Sequence, residues 1–188
     1  MTPLDLLSKE HRAIRVVLRA VVKLAARTEQ SGPVDPSVWR AFVGFIRQWA
    51  DGAHHAKEER VLFEALLAAG MSRDRGPVAC MLGEHDLLRD LLRRVEDAAA
   101  AFSKGTGRWR DITGPAVSFC DLLEDHIDKE DFALYPLSHK MLGDAGIAAL
   151  EAPFRDVDAT TIEEFERAAS RVADRLTSAE PLVQASAS

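Results

Sequence analysis

The sequence predicts an all-α protein, an up-down-up-down four-helix bundle with an additional C-terminal helical segment. Three observations lead there. Apolar residues recur at alternating steps of three and four along four separate stretches, the period of one buried helical face. Short loops marked by Gly and Pro divide those stretches, and short connections make neighbouring helices antiparallel. The third observation is a repeat: His54-His55-Ala56-Lys57-Glu58-Glu59-Arg60-Val61-Leu62-Phe63 aligns without gaps on His126-Ile127-Asp128-Lys129-Glu130-Asp131-Phe132-Ala133-Leu134-Tyr135. The copies match at His54/His126, Lys57/Lys129, Glu58/Glu130 and Leu62/Leu134, with Glu59/Asp131 and Phe63/Tyr135 as close substitutions.

Helix one is predicted from Thr2 as cap, with Pro3 at the first helical position and Asp5 in the first turn. Its stripe is Leu4, Leu7, His11, Ile14, Leu18, Val21 and Ala25. Ser31-Gly32-Pro33-Val34 breaks it, and Asp35-Pro36 starts helix two. Val38, Phe42, Phe45, Ile46 and Trp49 give that helix an inward face leading into His54 and Glu58, and Gly70 closes it. Pro77 opens helix three, whose stripe is Val78, Met81, His85, Leu88, Leu92, Val95, Ala99 and Phe102. After Gly105-Thr106-Gly107, helix four begins between Arg108 and Pro115 and carries Ile112, Ala116, Phe119, Leu123, His126 and Glu130 inward. Pro136 is expected to kink or end it near Tyr135.

Beyond Gly143 the pattern weakens. Residues 145–152 suggest one short helix, and 161–178 another capped by Thr160 or Thr161, lying across the bundle. The expected division is therefore a bundle over residues 1–143 and a helical extension with a frayed tail over 144–188. The final Ser- and Ala-rich residues have nothing to pack against.

Composition narrows the function classes. One domain is expected at 188 residues, 47% of them hydrophobic, with a net charge of -6. An acidic balance without a Lys/Arg cluster argues against nucleic acid and anionic membrane surfaces. No apolar run approaches a transmembrane length, and no signal peptide is visible at the N-terminus. Cys80 and Cys120 form no CxxC pair, which suits a reduced, cytoplasmic setting.

The repeat carries the chemistry. Within each copy a histidine and a glutamate stand four residues apart, one turn apart on one helical face. Upstream of each lies a further Glu-His pair, Glu10-His11 and Glu84-His85, at nearly equal distances. A lone histidine on an apolar face is more often a satisfied core residue than a ligand. A charged helical stretch is usually a solvated face. Four imidazoles and two carboxylates buried together are another matter, because they are costly unless a cation pairs with them. His11, His54, Glu58, His85, His126 and Glu130 thus read as a ligand set for two metal ions.

This pattern, with its local strings His-His-x-Lys-Glu-Glu and His-Ile-x-Lys-Glu-Asp, resembles the hemerythrin-like (HHE cation-binding) domains over roughly residues 4 to 140. The resemblance implies two iron ions, bridged by Glu58 and Glu130 and by an oxo or hydroxo group, inside a four-helix bundle. It also departs from the oxygen-carrying hemerythrins. Their fifth histidine, one turn after the third, is replaced by Arg89, which is expected to turn toward an acidic partner and leave a gap beside one iron. Their last carboxylate is an Asp five residues after its histidine, the offset of Asp131, whereas the repeat selects Glu130. His55, Glu59 and His139 are expected as supporting or surface groups, and Phe63 and Tyr135 as packing beside the site, where the Tyr135 hydroxyl could also bond a metal-bound oxygen.

Two imidazoles and two bridging carboxylates per iron leave an open position, which suits reaction with small oxidants. The functional expectation is a protein that binds or reacts with dioxygen, peroxide or nitric oxide, without an assigned catalytic residue. One alternative is an oxygen, redox or iron sensor or an iron store, with the C-terminal segment as output. Another is iron donation to iron–sulfur cluster repair. In related proteins that activity accompanies an extra cysteine-bearing N-terminal region, and the immediate start of helix one makes it the lesser expectation.

Overall fold

The computed structural model describes residues 1–182, so the expectation of a frayed tail falls mostly outside the described residues. The chain is an all-α bundle. Helix α1 (Pro3–Ser31) starts with a reciprocal cap in which Thr2 and Asp5 each accept the other's backbone N–H. The second bundle helix is a composite: α2 (Pro36–Phe45), π1 (Ile46–His55), π2 (Glu58–Leu62) and α3 (Phe63–Ala68). Asp35 caps its start by accepting from the Ser37 N–H. Helix α4 (Pro77–Ser103) is the third, and α5 (Arg110–Lys129), π3 (Glu130–Leu134) and α6 (Tyr135–Ala149) form the fourth. Two further helices follow, α7 (Glu151–Val157) and α8 (Ile162–Thr177). Among the described residues, no helix is long and apolar enough to cross a membrane.

Pro136, expected to kink or end the fourth helix near Tyr135, does not end it. A wide turn, in which the Tyr135 N–H bonds the Glu130 carbonyl, precedes the proline, and the chain continues as α6. A turn whose hydrogen bonds already run one residue longer absorbs the missing donor of a proline without unwinding the helix. The first true break is Gly143, with φ 65°.

Helix α8 lies lengthwise rather than across. Its apolar residues Ile162, Phe165, Ala168, Ala169, Ala173 and Leu176 are all buried, a stripe along the whole helix that only a long groove can cover. Arg27 near the end of α1 donates to the Leu176 and Thr177 carbonyls, so α8 runs parallel to α1. Phe165 packs edge-on against Phe45 and Trp49, and Arg175 reaches Ser37, so it runs antiparallel to α2.

The interior has two apolar layers with a polar one between. One layer includes Ile14, Leu18, Phe42, Ile46, Leu88, Phe119, Leu123 and Phe165. The other includes Leu4, Leu7, Leu62, Phe63, Leu66, Val78, Met81 and Leu134. On all four bundle helices His11, His54, His55, His85 and His126 and the inward glutamates fall between these layers, sealed from water on both sides.

Candidate metal centre

His11 comes from α1, His54 and His55 from π1, Glu58 from the start of π2, His85 from α4, His126 from α5, and Glu130 from the start of π3. All seven are at most 2% exposed. The structure thus brings together the six residues singled out by the repeat. It adds His55, which belongs with Glu58, His85 and His126 in one group of converging ligand atoms. The other group is His11, His54, Glu58 and Glu130.

Each of the four repeat histidines is held through Nδ1 by a carboxylate. His54 meets Glu10 at 2.9 Å, His126 meets Glu84 at 2.9 Å, His85 meets Glu59 at 2.6 Å and His11 meets Asp131 at 3.0 Å. The pattern obeys the repeat. Glu10 and Glu84 hold the second histidine of their own half, while Glu59 and Asp131 reach the first histidine of the other half. A carboxylate acceptor fixes the proton on Nδ1 and leaves the Nε2 lone pair pointing inward. Asp131 also accepts from the Ser8 hydroxyl, and Arg89 binds Glu59 at 2.7 Å and Asp51 at 2.9 Å. Arg89 therefore does turn to acidic partners, and through them it braces the imidazoles of His85 and His55.

The inward atoms face one another without donors. Glu130 places Oε2 3.2 Å from His11 Nε2 and Oε1 3.2 Å from His126 Nε2, spanning both groups. Glu58 Oε2 lies 3.6 Å from His54 Nε2 and 3.6 Å from His85 Nε2. Yet Glu58 Oε2, both Glu130 oxygens and His55 Nε2 are buried with no hydrogen-bond partner. His85 Nε2 and His126 Nε2 approach to 3.1 Å, although each ring already gives its Nδ1 proton to a carboxylate. Lone pairs brought this close repel unless something positive lies among them. Five imidazole nitrogens and two carboxylates are a donor set for divalent or trivalent transition metals, so the residues present fit a metal pair.

Burial, with the charge of Glu130 beside it, pushes the Glu58 carboxyl well above the usual carboxylate range. Burial acts the same way on Glu130, but the imidazoles of His126 and His11 beside it outweigh burial and hold it far below that range. Burial, with His11 and His55 beside it, keeps His54 neutral, and burial with the charge of His85 depresses His55 to about 3. His54 and His55 are therefore neutral, as a metal ligand must be, whereas the carboxylates beside His11 and His126 outweigh burial and raise those two imidazoles, so that metal binding there displaces protons.

Three details exceed what the sequence reading assigned. His55, expected as a supporting or surface group, stacks on the His85 ring at 3.9 Å and fills the side of His85 toward Arg89. Tyr135, expected as packing, donates its buried hydroxyl to Glu58 Oε1 at 2.7 Å and stands 3.3 Å from His11 Nε2. The signal for Glu10 and Glu84 was present, since a glutamate precedes the histidine in both halves. His139 takes no part; it is exposed and pairs with Asp144.

Comparison with known proteins bears on this arrangement. The sequence model described as Hemerythrin HHE cation binding domain matches residues 2–138. A relative, the iron-sulfur cluster repair protein YtfE of Cronobacter sakazakii, is 26% identical over 136 residues, 70% of this chain and 62% of that protein. The match therefore spans less than two thirds of the relative's length. No solved structure matches the chain.

Proposed function

Since the chain belongs to the hemerythrin HHE cation-binding domain family, we propose that it is a non-haem di-iron protein that binds or reacts with dioxygen, peroxide or nitric oxide. The observation that carries this reading is the set of orphaned inward atoms: buried carboxylate oxygens and imidazole nitrogens facing one another with no donor between them. His11 and His54 would hold one iron, His85 and His126 the other, with Glu58 and Glu130 between them. His55 is a third imidazole for the second position, which makes the two unequal and leaves the His11/His54 side less filled.

When bound, the irons would supply redox chemistry toward small oxidants. The chain's own residues prepare the site. Glu10, Glu59, Glu84 and Asp131 orient the imidazoles. The Tyr135 hydroxyl fixes one oxygen of Glu58 on the less-filled side. The apolar layers exclude water, which strengthens every charge interaction inside. A small uncharged or peroxide ligand is the partner this enclosure admits. Cys80 and Cys120 are both free, in keeping with a reduced cytoplasmic setting.

Metal analysis of the purified protein should give two irons per chain. His54→Ala and His126→Ala should each lose at least one, because the apolar wall supplies no replacement donor. Full metal content in both variants refutes the assignment. Turnover of added peroxide marks an enzyme, and a spectral shift with nitric oxide or dioxygen without turnover marks a carrier or sensor. The likeness to an iron-sulfur cluster repair protein supports a second reading, iron donation. Transfer of the bound iron to a metal-free iron–sulfur protein in solution would favour that one.

A further inference from the structure

The two halves of the repeat are alike in sequence and differ in burial. In each, a lysine pairs with the glutamate that holds the second histidine: Lys57 with Glu10, and Lys129 with Glu84. The Lys129 side chain is 45% exposed and Glu84 13%. Those of Lys57 and Glu10 are 1% and 2% exposed. The difference comes from outside the bundle. The connection between α7 and α8 covers Lys57, and its Asp158 carboxylate places Oδ2 3.7 Å from Lys57 Nζ. That oxygen is buried and has no hydrogen-bond donor among the described residues. The other oxygen of Asp158 is fixed by the backbone N–H and hydroxyl of Thr160, at 3.2 Å and 2.7 Å.

We propose that Asp158 and Lys57 are positioning residues of the metal centre, acting through Glu10 on His54, so that the segment beyond the family-matched region helps to hold one metal. This rests on the di-iron reading above. The contacts form one line: Asp158 to Lys57, Lys57 to Glu10 Oε1, and Glu10 Oε2 to His54 Nδ1 at 2.9 Å. A buried ammonium needs compensating charge, and one buried carboxylate shared with an imidazole leaves it under-compensated. Asp158 supplies the second. With Lys57 fixed, Glu10 keeps its Oε2 against His54 Nδ1, and His54 Nε2 faces inward. The Lys129–Glu84 pair, with its lysine half-exposed, has water for the same purpose and, among the described residues, no third partner comparable to Asp158. Its contribution is screened.

The test uses the full iron-loaded chain and its variants Lys57→Met, Lys57→Arg, Asp158→Asn and Lys129→Met. Two quantities are read: the rate of iron release to a chelator, and the shifted proton resonance of the His54 Nδ1–H beside the paramagnetic metal. Lys57→Met should release iron about tenfold or more faster, the usual effect of losing an outer partner of a ligand. Asp158→Asn should move release in the same direction by less, and both should displace the His54 signal. Lys57→Arg should restore both quantities toward wild type, and Lys129→Met should leave them near it. Wild-type release and an unmoved His54 signal in Asp158→Asn overturn the proposal, even if Lys57→Met fails to fold. Equal effects of Lys129→Met and Lys57→Met overturn it too. A wild type without iron removes the di-iron reading and this proposal with it, whereas a loaded wild type with unmoved variants removes this proposal alone.

Discussion

Single residues settle here by asking which atom of each side chain is already spoken for. Glu130 and Asp131 are neighbours in sequence, and each lies beside His11, at 3.2 Å and 3.0 Å. They do different things. Asp131 meets Nδ1 and the Ser8 hydroxyl on the outer side, whereas Glu130 faces the Nε2 atoms of His11 and His126 with both oxygens orphaned. Glu130→Ala is therefore expected to lose at least one metal. Asp131→Ala should keep both and release them about 10- to 100-fold faster, as loss of an outer partner does. Metal analysis with chelator competition distinguishes the two, and the reverse result would place Asp131 on the metal.

At the level of elements, the wide turns matter most. In both π2 and π3 the N–H five residues on bonds the inward glutamate's carbonyl: Phe63 to Glu58, and Tyr135 to Glu130. A residue five positions along then returns to the glutamate's face, where an ordinary helix would turn it well aside. So Phe63 stacks on His85 with ring centroids 5.9 Å apart, and Tyr135 reaches Glu58. The longer π1 turns both His54 and His55 inward, and Gly52 permits it. A β-carbon at position 52 would stand 2.7 Å from the Arg47 carbonyl oxygen, a contact with backbone that no side-chain rotation relieves. Gly52→Ala should thus cost about 1–3 kcal/mol of stability and lower the metal content by moving the two histidines. Denaturant unfolding with metal analysis checks both. Unchanged values would mean that π1 tolerates the side chain.

Across the whole molecule, α8 completes the groove between α1 and α2 and shares their core. Phe165 is 1% exposed and makes two edge-on aromatic contacts with the second bundle helix. Phe165→Ala should destabilise the protein by about 3–5 kcal/mol, the range for a truncated core aromatic. Because α8 and the bundle bury one continuous layer, helix loss and Trp49 fluorescence should change in a single shared transition. Two separate transitions would show that the C-terminal segment folds as its own unit.

Much of this was legible in one dimension. The alternating apolar steps, the caps at Thr2 and Asp35, and the Gly and Pro breaks mark out the helices, because those signals act over a few residues. The repeat picks out His11, His54, Glu58, His85, His126 and Glu130, since two copies of one local pattern must fold alike. Local rules cannot supply the rest. Whether a turn closes at four residues or five depends on what its neighbours crowd into it. That choice brings His55 and Tyr135 to the centre and carries α6 past Pro136. The Nδ1 partners come from other helices, and Arg89 is placed by Asp51 and Glu59 of the second bundle helix. Lys57 and Lys129 are equivalent in the sequence. Only the packing of the C-terminal segment buries one and leaves the other in water, because burial is a property of the assembled surface.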